Sequence, residues 1–168
     1  MQKITRKERK RLSIIFGIIL FIGLLFIGCS IFIDDAKDIV NKYAYGMKTS
    51  NADKIVDLYK EEMIFESYKS KKEMAKDYKD MFKDLKDEHY IINSYEIDDD
   101  YKVYKDEEFK YQRDLLIEYY GIEKKEIEEI RLYTIYFDCN DDGEKKETKQ
   151  GVIVAKIDSH WYYIGNEE

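Results

Sequence analysis

The pattern of apolar and polar positions divides the chain into a continuous apolar block and a long periodic region. Residues 12–33 (LSIIFGIILFIGLLFIGCSIFI) are 22 consecutive uncharged residues. At about 1.5 Å per residue, a helix of that length spans roughly 33 Å, enough for the ~30 Å hydrocarbon core of a bilayer. Lipid offers no partner to free backbone groups, so a transmembrane helix is the expected form. Beyond this block the apolar positions become periodic. Ala36, Ile39, Val40, Tyr43 and Met47 fall on one face of a helix over 35–48. Asp34 or Asp35 is placed to cap it. Thr49-Ser50-Asn51 breaks it, and Asn51 can cap a second helix carrying Ile55, Val56, Leu58 and Tyr59. Ser70-x-x-Glu73 is a capping box, followed by Met74, Tyr78, Met81 or Phe82, and Leu85 at helical spacing.

The period then changes. His89 to Ile97 reads as a strand that Asp98-Asp99-Asp100 should end, with a further short strand over 101–105. Residues 106–120 read as a helix with Phe109, Leu115, Leu116 and Tyr119 apolar and Gly121 as its C-cap. The remainder is β-branched and aromatic. Strands are expected over 127–137, 149–157 and 161–164, with turns at 140–143 and 158–160, as an antiparallel meander. Helices followed by a meander predict an α+β domain, helices packed against one face of a curved antiparallel sheet.

Charge sharpens the division. The formal net charge of -7 is the sum of two opposed regions. Residues 1–11 (MQKITRKERKR) hold six Lys/Arg and one Glu, a net of +5, and residues 34–168 hold 23 Lys/Arg and 35 Asp/Glu, a net of -12. The positive-inside rule places residues 1–11 in the cytoplasm and the C-terminus outside, a single-pass protein of the cell membrane. The acidic domain argues against nucleic acid as a partner. The expected organisation is a basic cytoplasmic tail (1–11), a transmembrane signal-anchor (12–33) and an extracytoplasmic domain (34–168). Phe26-Ile27-Gly28-Cys29 resembles a lipobox, so lipidation at Cys29 is the alternative to a retained anchor. Phe at the third position before Cys29 and the apolar Ser30-Ile31-Phe32-Ile33 after it weigh against that alternative. No A-x-A-like cleavage site follows the apolar run.

Composition adds little chemistry. Pro is absent and Tyr numbers 16, as an AT-rich coding bias produces. Cys29 and Cys139 lie in different regions, so no disulfide is expected within the chain, and Cys139 reads as a small buried hydrophobe at a strand end. Asp138-x-Asn140-x-Asp142-Gly143 matches the first half of a calcium loop, but Lys146 and Lys149 stand where the later ligands belong. A hairpin turn is the plainer reading of Asp138, Asn140 and Asp142. His89 and His160, the two histidines, sit in no catalytic motif. No nucleophile elbow, P-loop or dinucleotide fingerprint occurs, so no cofactor is expected. Trp161-Tyr162-Tyr163 alternates across a strand, with at least one face in the core. The charged helices, 71–88 among them, read as mixed-sign solvated faces.

Two segments carry a family resemblance. AKDIVNKYAYGMKTSNADKIVDLY resembles the opening helix pair of the nuclear-transport-factor-2-like (cystatin-like cone) superfamily. GVIVAKIDSHWYYIG resembles its closing hairpin, with Trp161 and Tyr162 at the closing positions. The chain is similar to the small membrane-anchored or lipoprotein members of Gram-positive bacteria, over about residues 35–168. The helix at 106–120 departs from the simplest family pattern. The resemblance implies a cone-like fold with a pocket. The superfamily holds isomerases and dehydratases, whose Asp, His or Tyr lie inside the cone, and many binding or assembly domains without catalysis. No such catalytic residues match here position by position. The expected function is therefore a membrane-tethered binding or assembly module without catalytic activity, for a protein partner or small ligand. A homodimer through the sheet is a further expectation. The alternatives are an isomerase- or dehydratase-type enzyme and a subunit of a secretion or conjugation envelope complex.

Overall fold

A computed structural model describes residues 35–167, which begin a compact unit at Asp35. The expected tail (1–11), the signal-anchor (12–33), Cys29 and Asp34 lie outside the described residues. Among the described residues no helix is long and apolar enough to cross a membrane.

The elements are α1 (Asp35–Lys48), α2 (Ala52–Val56), α3 (Glu61–Ser67), α4 (Lys71–Asp87), β1 (Tyr90–Val103), α5 (Asp106–Tyr120), β2 (Ile127–Asp141), β3 (Glu144–Ile157) and β4 (His160–Glu167). A short 3-10 turn at Lys124–Glu126 precedes β2. The fold is α+β, with one antiparallel four-stranded sheet in the order β1-β2-β3-β4. Local chemistry sets the helix ends. The Asn51 side chain accepts from the Lys54 N–H at 3.1 Å. Ser70 Oγ accepts from the Glu73 N–H at 3.2 Å, while Glu73 Oε2 accepts from the Lys69 N–H at 2.8 Å. Gly121, at φ 65°, closes α5 in the left-handed region that glycine adopts without strain.

Four sequence expectations are corrected. Asp98-Asp99-Asp100 does not end β1, which runs on to Val103. Ile97 pairs with Ile135 and Tyr101 with Tyr133, so two extra β1 residues are accommodated as a bulge. The aspartates face outward there: Asp99 is exposed and ion-pairs with Lys37 at 2.6 Å, and Asp98 Oδ1 accepts from the Asp100 N–H at 3.1 Å. A second irregularity between Ile92 and Ser94 adds to the bend that bulges impose on a strand. The helix capped by Asn51 ends at Val56, before Leu58 and Tyr59, and a further helix that the pattern did not predict, α3, begins at Glu61. The hairpin of β2 and β3 is longer than expected and turns only at Asp142-Gly143, both at positive φ. Asp-Gly suits such a turn because both central residues need positive φ.

The fourth correction concerns layers. Helices cover both faces of the sheet, not one. On the front face, Tyr133, Ile135, Phe137 and Cys139 of β2 and Val152 and Val154 of β3 pack with α1, α2 and α4 through Val40, Tyr43, Ile55 and Phe82. On the back, Ile130 of β2 and Ile153, Ala155 and Ile157 of β3 pack with Leu116 of α5, Met63 of α3, Tyr104 and Ile122. Consecutive β3 residues Val152 to Ala155 are all buried, because successive side chains point to opposite faces and both faces are covered. β4 behaves alike: Tyr163 packs in the front core and Tyr162 against the back one. Gly46 lets α1 approach α2 closely, since a Cβ there would lie 2.6 Å from Ile55 Cγ1.

Candidate functional site

Two places hold chemistry. The first is the space between the front helices and the sheet. Tyr43 of α1 stacks on Tyr163 of β4 with ring centroids 4.5 Å apart, and Tyr59 meets Tyr163 edge-on at 4.9 Å. The Tyr59 and Tyr78 hydroxyls hydrogen-bond at 2.9 Å, and Asn166 Nδ2 donates to the Tyr43 hydroxyl at 3.2 Å. The Tyr163 N–H also donates to the Leu58 carbonyl at 3.0 Å, which ties the loop after α2 to the sheet. Among the described residues no buried side-chain polar atom lacks a partner. Burial raises the pKa of Tyr43, Tyr59, Tyr78 and Tyr163, and for Tyr163 the neighbouring phenols add to it. These hydroxyls therefore stay protonated and serve as neutral hydrogen-bonding groups, not as bases.

That assignment has a pH consequence. An unfolded chain releases phenol protons near pH 10, whereas these folded phenols keep theirs to higher pH. Stability is thus fully present below about pH 10 and falls as pH rises beyond it, by up to about 1.4 kcal/mol per pH unit for each phenol still protonated. Tyr104, pushed up to about 12 by burial and by Glu167, contributes in the same direction. Tyrosinate absorbance should rise together with the loss of Trp161 emission in one unfolding step. Smooth ionisation of all phenols near pH 10 with the fold intact would contradict the buried network.

The second place is a groove of about 550 Å³ between the C-terminal turns of α1 and α4 and the start of β1. Two left-handed residues shape it. Ser50, at φ 50°, turns the chain after α1, and His89, at φ 58°, turns it after α4. The floor is apolar, with Met47, Phe82, Leu85, Tyr90 and Ile92. Exposed Ile91 extends it along β1. The rim is Lys48, Lys79, Lys83 and Lys86, and no Asp or Glu lines it. Lys79 is paired with Asp53 at 3.2 Å, whereas Lys48, Lys83 and Lys86 form no ion pair among the described residues.

The sequence contained this rim and its reading as mixed-sign faces missed it. Lys72, Lys76, Lys79, Lys83 and Lys86 are each followed directly by an acid, Glu73, Asp77, Asp80, Asp84 and Asp87. At about 100° per residue, the lysines fall within roughly 80° of arc and the acids within the next 80°. α4 thus has a basic flank and an acidic flank on either side of its polar surface. The regular Lys-acid spacing was the available signal. The contribution of Lys48 and β1 was not legible, because they are distant in sequence.

The residues singled out from sequence lie elsewhere. Asp138, Asn140 and Asp142 form part of the β2–β3 hairpin end: Asn140 Oδ1 accepts from the Gly143 N–H at 2.7 Å, and Ser94 Oγ donates to Asp138 at 3.1 Å. Among the described residues no group of three or more His, Cys, Asp or Glu side chains has the placement to hold a metal ion. His89 directly precedes Tyr90, which pairs with Asp141 at one end of β2, and His160 pairs with Ile157, which pairs with Ile127 at the other end. Fourteen residues of β2 separate those ends, roughly 45 Å of strand, so the structure does not bring the histidines together. Cys139 is buried and accepts a hydrogen bond from the Tyr90 hydroxyl at 3.0 Å. Trp161 packs against the front core with its ring 4.6 Å from the Arg131 guanidinium, which also lies over Tyr101. No family model, curated protein or solved structure matches the chain.

Proposed function

We propose that this chain is a membrane-tethered, extracytoplasmic binding or assembly module of the cone-like, nuclear-transport-factor-2-like kind, without catalytic activity. Residues 1–33 supply the reason for the tether: a +5 tail followed by 22 uncharged residues. The helix layer on a bent antiparallel sheet supports the cone-like architecture, with α5 as an addition on the back.

The observation that carries the binding reading is the content of the space between helices and sheet. It is filled by Tyr43, Tyr59 and Tyr163 in ring contact, and their phenols hold their protons. General acid–base work needs a group that titrates near the operating pH and reaches a substrate. A small cleft of about 250 Å³ opens beside Tyr59, Asp77 and Tyr78, and a roomier space of about 550 Å³ lies at the lysine-rimmed groove, where the side chains suit recognition.

Protease treatment of intact cells tests the topology. Residues 34–168 should be digested from outside while a cytoplasmic control survives. Protection of both would sink the tethered, outward-facing reading. Loss of fatty-acid incorporation in Cys29→Ala would convert the anchor to a lipid one and leave the domain outside.

A further inference from the structure

We propose that the groove between α1, α4 and β1 binds a single-chain amphiphile with an anionic headgroup. Its apolar body would lie on Met47, Phe82, Leu85 and Ile92 and its headgroup against Lys48, Lys83 and Lys86. This deepens the binding reading above and rests on it.

Three observations meet here. The first is the floor. It is apolar and concave, and its 550 Å³ falls within the roughly 300–1,000 Å³ typical of small-molecule sites. A stable protein partner would ask for a broader surface, about 800 Å² on each side. The second is charge. Residues 34–168 carry a net of -12, yet four lysines and no acid line this groove. A uniformly solvated surface of this composition would place acids there.

The third is the balance of fields at the site. Lysines often sit at helix C-termini because they offset the helix dipole, and α1 and α4 both end here. Each such end carries about half a negative charge, so the two together offset about one positive charge. Lys79 is already neutralised by Asp53. Lys48, Lys83 and Lys86 remain, which leaves a net positive rim of about two charges after both helix ends are counted. The acidic flank of α4 faces away from the groove, since its arc lies beyond the lysines. An anion therefore meets attraction at the rim, and a neutral or cationic amphiphile does not.

The ammonium groups are exposed, so the attraction is screened by salt, whereas contact with the apolar floor is not. That difference supplies the experiment. The full chain is placed in nanodiscs of zwitterionic lipid. Decanoate and decanol, each carrying a photoreactive diazirine, are added, and labelled peptides are mapped by mass spectrometry. Decanoate should label residues 79–92 at least about fivefold more than decanol. The advantage should shrink at least about threefold between about 50 mM and about 500 mM salt, as the Debye length falls from about 14 Å to about 4 Å. The exposed double substitution Lys83→Gln/Lys86→Gln leaves the floor intact and should lower decanoate labelling about tenfold while decanol labelling stays put.

Equal labelling by acid and alcohol, or labelling untouched by the double substitution, would overturn the proposal. Displacement of the label by polyglutamate at concentrations where free decanoate fails would replace the amphiphile with an acidic peptide. Recovery of a chemically converted probe would instead sink the non-catalytic reading and leave the ligand class standing.

Discussion

Tyr163→Ala is expected to lower folding stability by about 4 kcal/mol, in the range of large aromatic truncations in cores. Tyr163 is 2% exposed and is the shared member of two aromatic pairs, stacked on Tyr43 and edge-on to Tyr59. Each such pair contributes about 0.5–1.5 kcal/mol beyond its buried area. Truncation also removes the hydroxyl that interacts with those of Tyr43, Tyr59 and Tyr78. A domain of this size is commonly stable by only about 5–15 kcal/mol, so a substantial share of the margin would go. Tyr163→Phe keeps the ring and should cost about 1 kcal/mol, the net worth of one hydrogen bond. Urea unfolding followed through Trp161, the single tryptophan, measures both. A cost for the alanine change no larger than that of the phenylalanine change would show that ring packing is not what holds α1 to β4.

The second large effect tests the back of the sheet. Ile130→Ala should cost about 3 kcal/mol, as a fully buried aliphatic truncation does. Ile130 is 0% exposed among Leu116, Ile153 and Ile157, and its carbonyl accepts from the Tyr104 N–H at 3.0 Å. Because the substitution lies under α5, hydrogen exchange should quicken in α5 before α1. A change within about 0.5 kcal/mol, the usual effect at a solvated position, would mean that the back face is not a core.

The hydrophobic pattern already hinted at that second core. Gly151-Val152-Ile153-Val154-Ala155 is a continuous apolar run and not an alternating one, the pattern of a strand buried on both faces. The partner on that second face is hard to see, because α5 gives no strong apolar stripe: Phe109, Leu115 and Ile117 are only half buried and Leu116 alone is fully so. Asp98-Asp99-Asp100 misled for the opposite reason. Three acids are a strong local turn signal, but on an edge strand with a bulge their side chains reach water while the backbone continues to pair with β2.

The electrostatics of the groove follow the same division. The Lys-acid spacing along α4 is a property of one helix and could be counted from sequence. The surroundings of Lys60, outside the groove, could not be counted. Lys60 lies within ion-pair distance of Glu62 of α3, Glu126 of the 3-10 turn and Asp158 of the β3–β4 turn. Burial pulls its pKa down, but these carboxylates outweigh that and hold the ammonium above its ordinary value.

The sequence by itself determined most of the elements and several of the helix ends. Helix periodicity, the Asn51 and Ser70 caps, Gly121 and the Asp142-Gly143 turn act over a few residues, so nearby chemistry is sufficient. It also determined the charge of each region and the apolar block at 12–33. Only the tertiary structure decided that α5 covers the back face, that β1 passes through its aspartates, and that Lys48 joins Lys83, Lys86 and Ile92 around one groove. These outcomes depend on pairing and packing between residues tens of positions apart, where burial of apolar area overrides local preference.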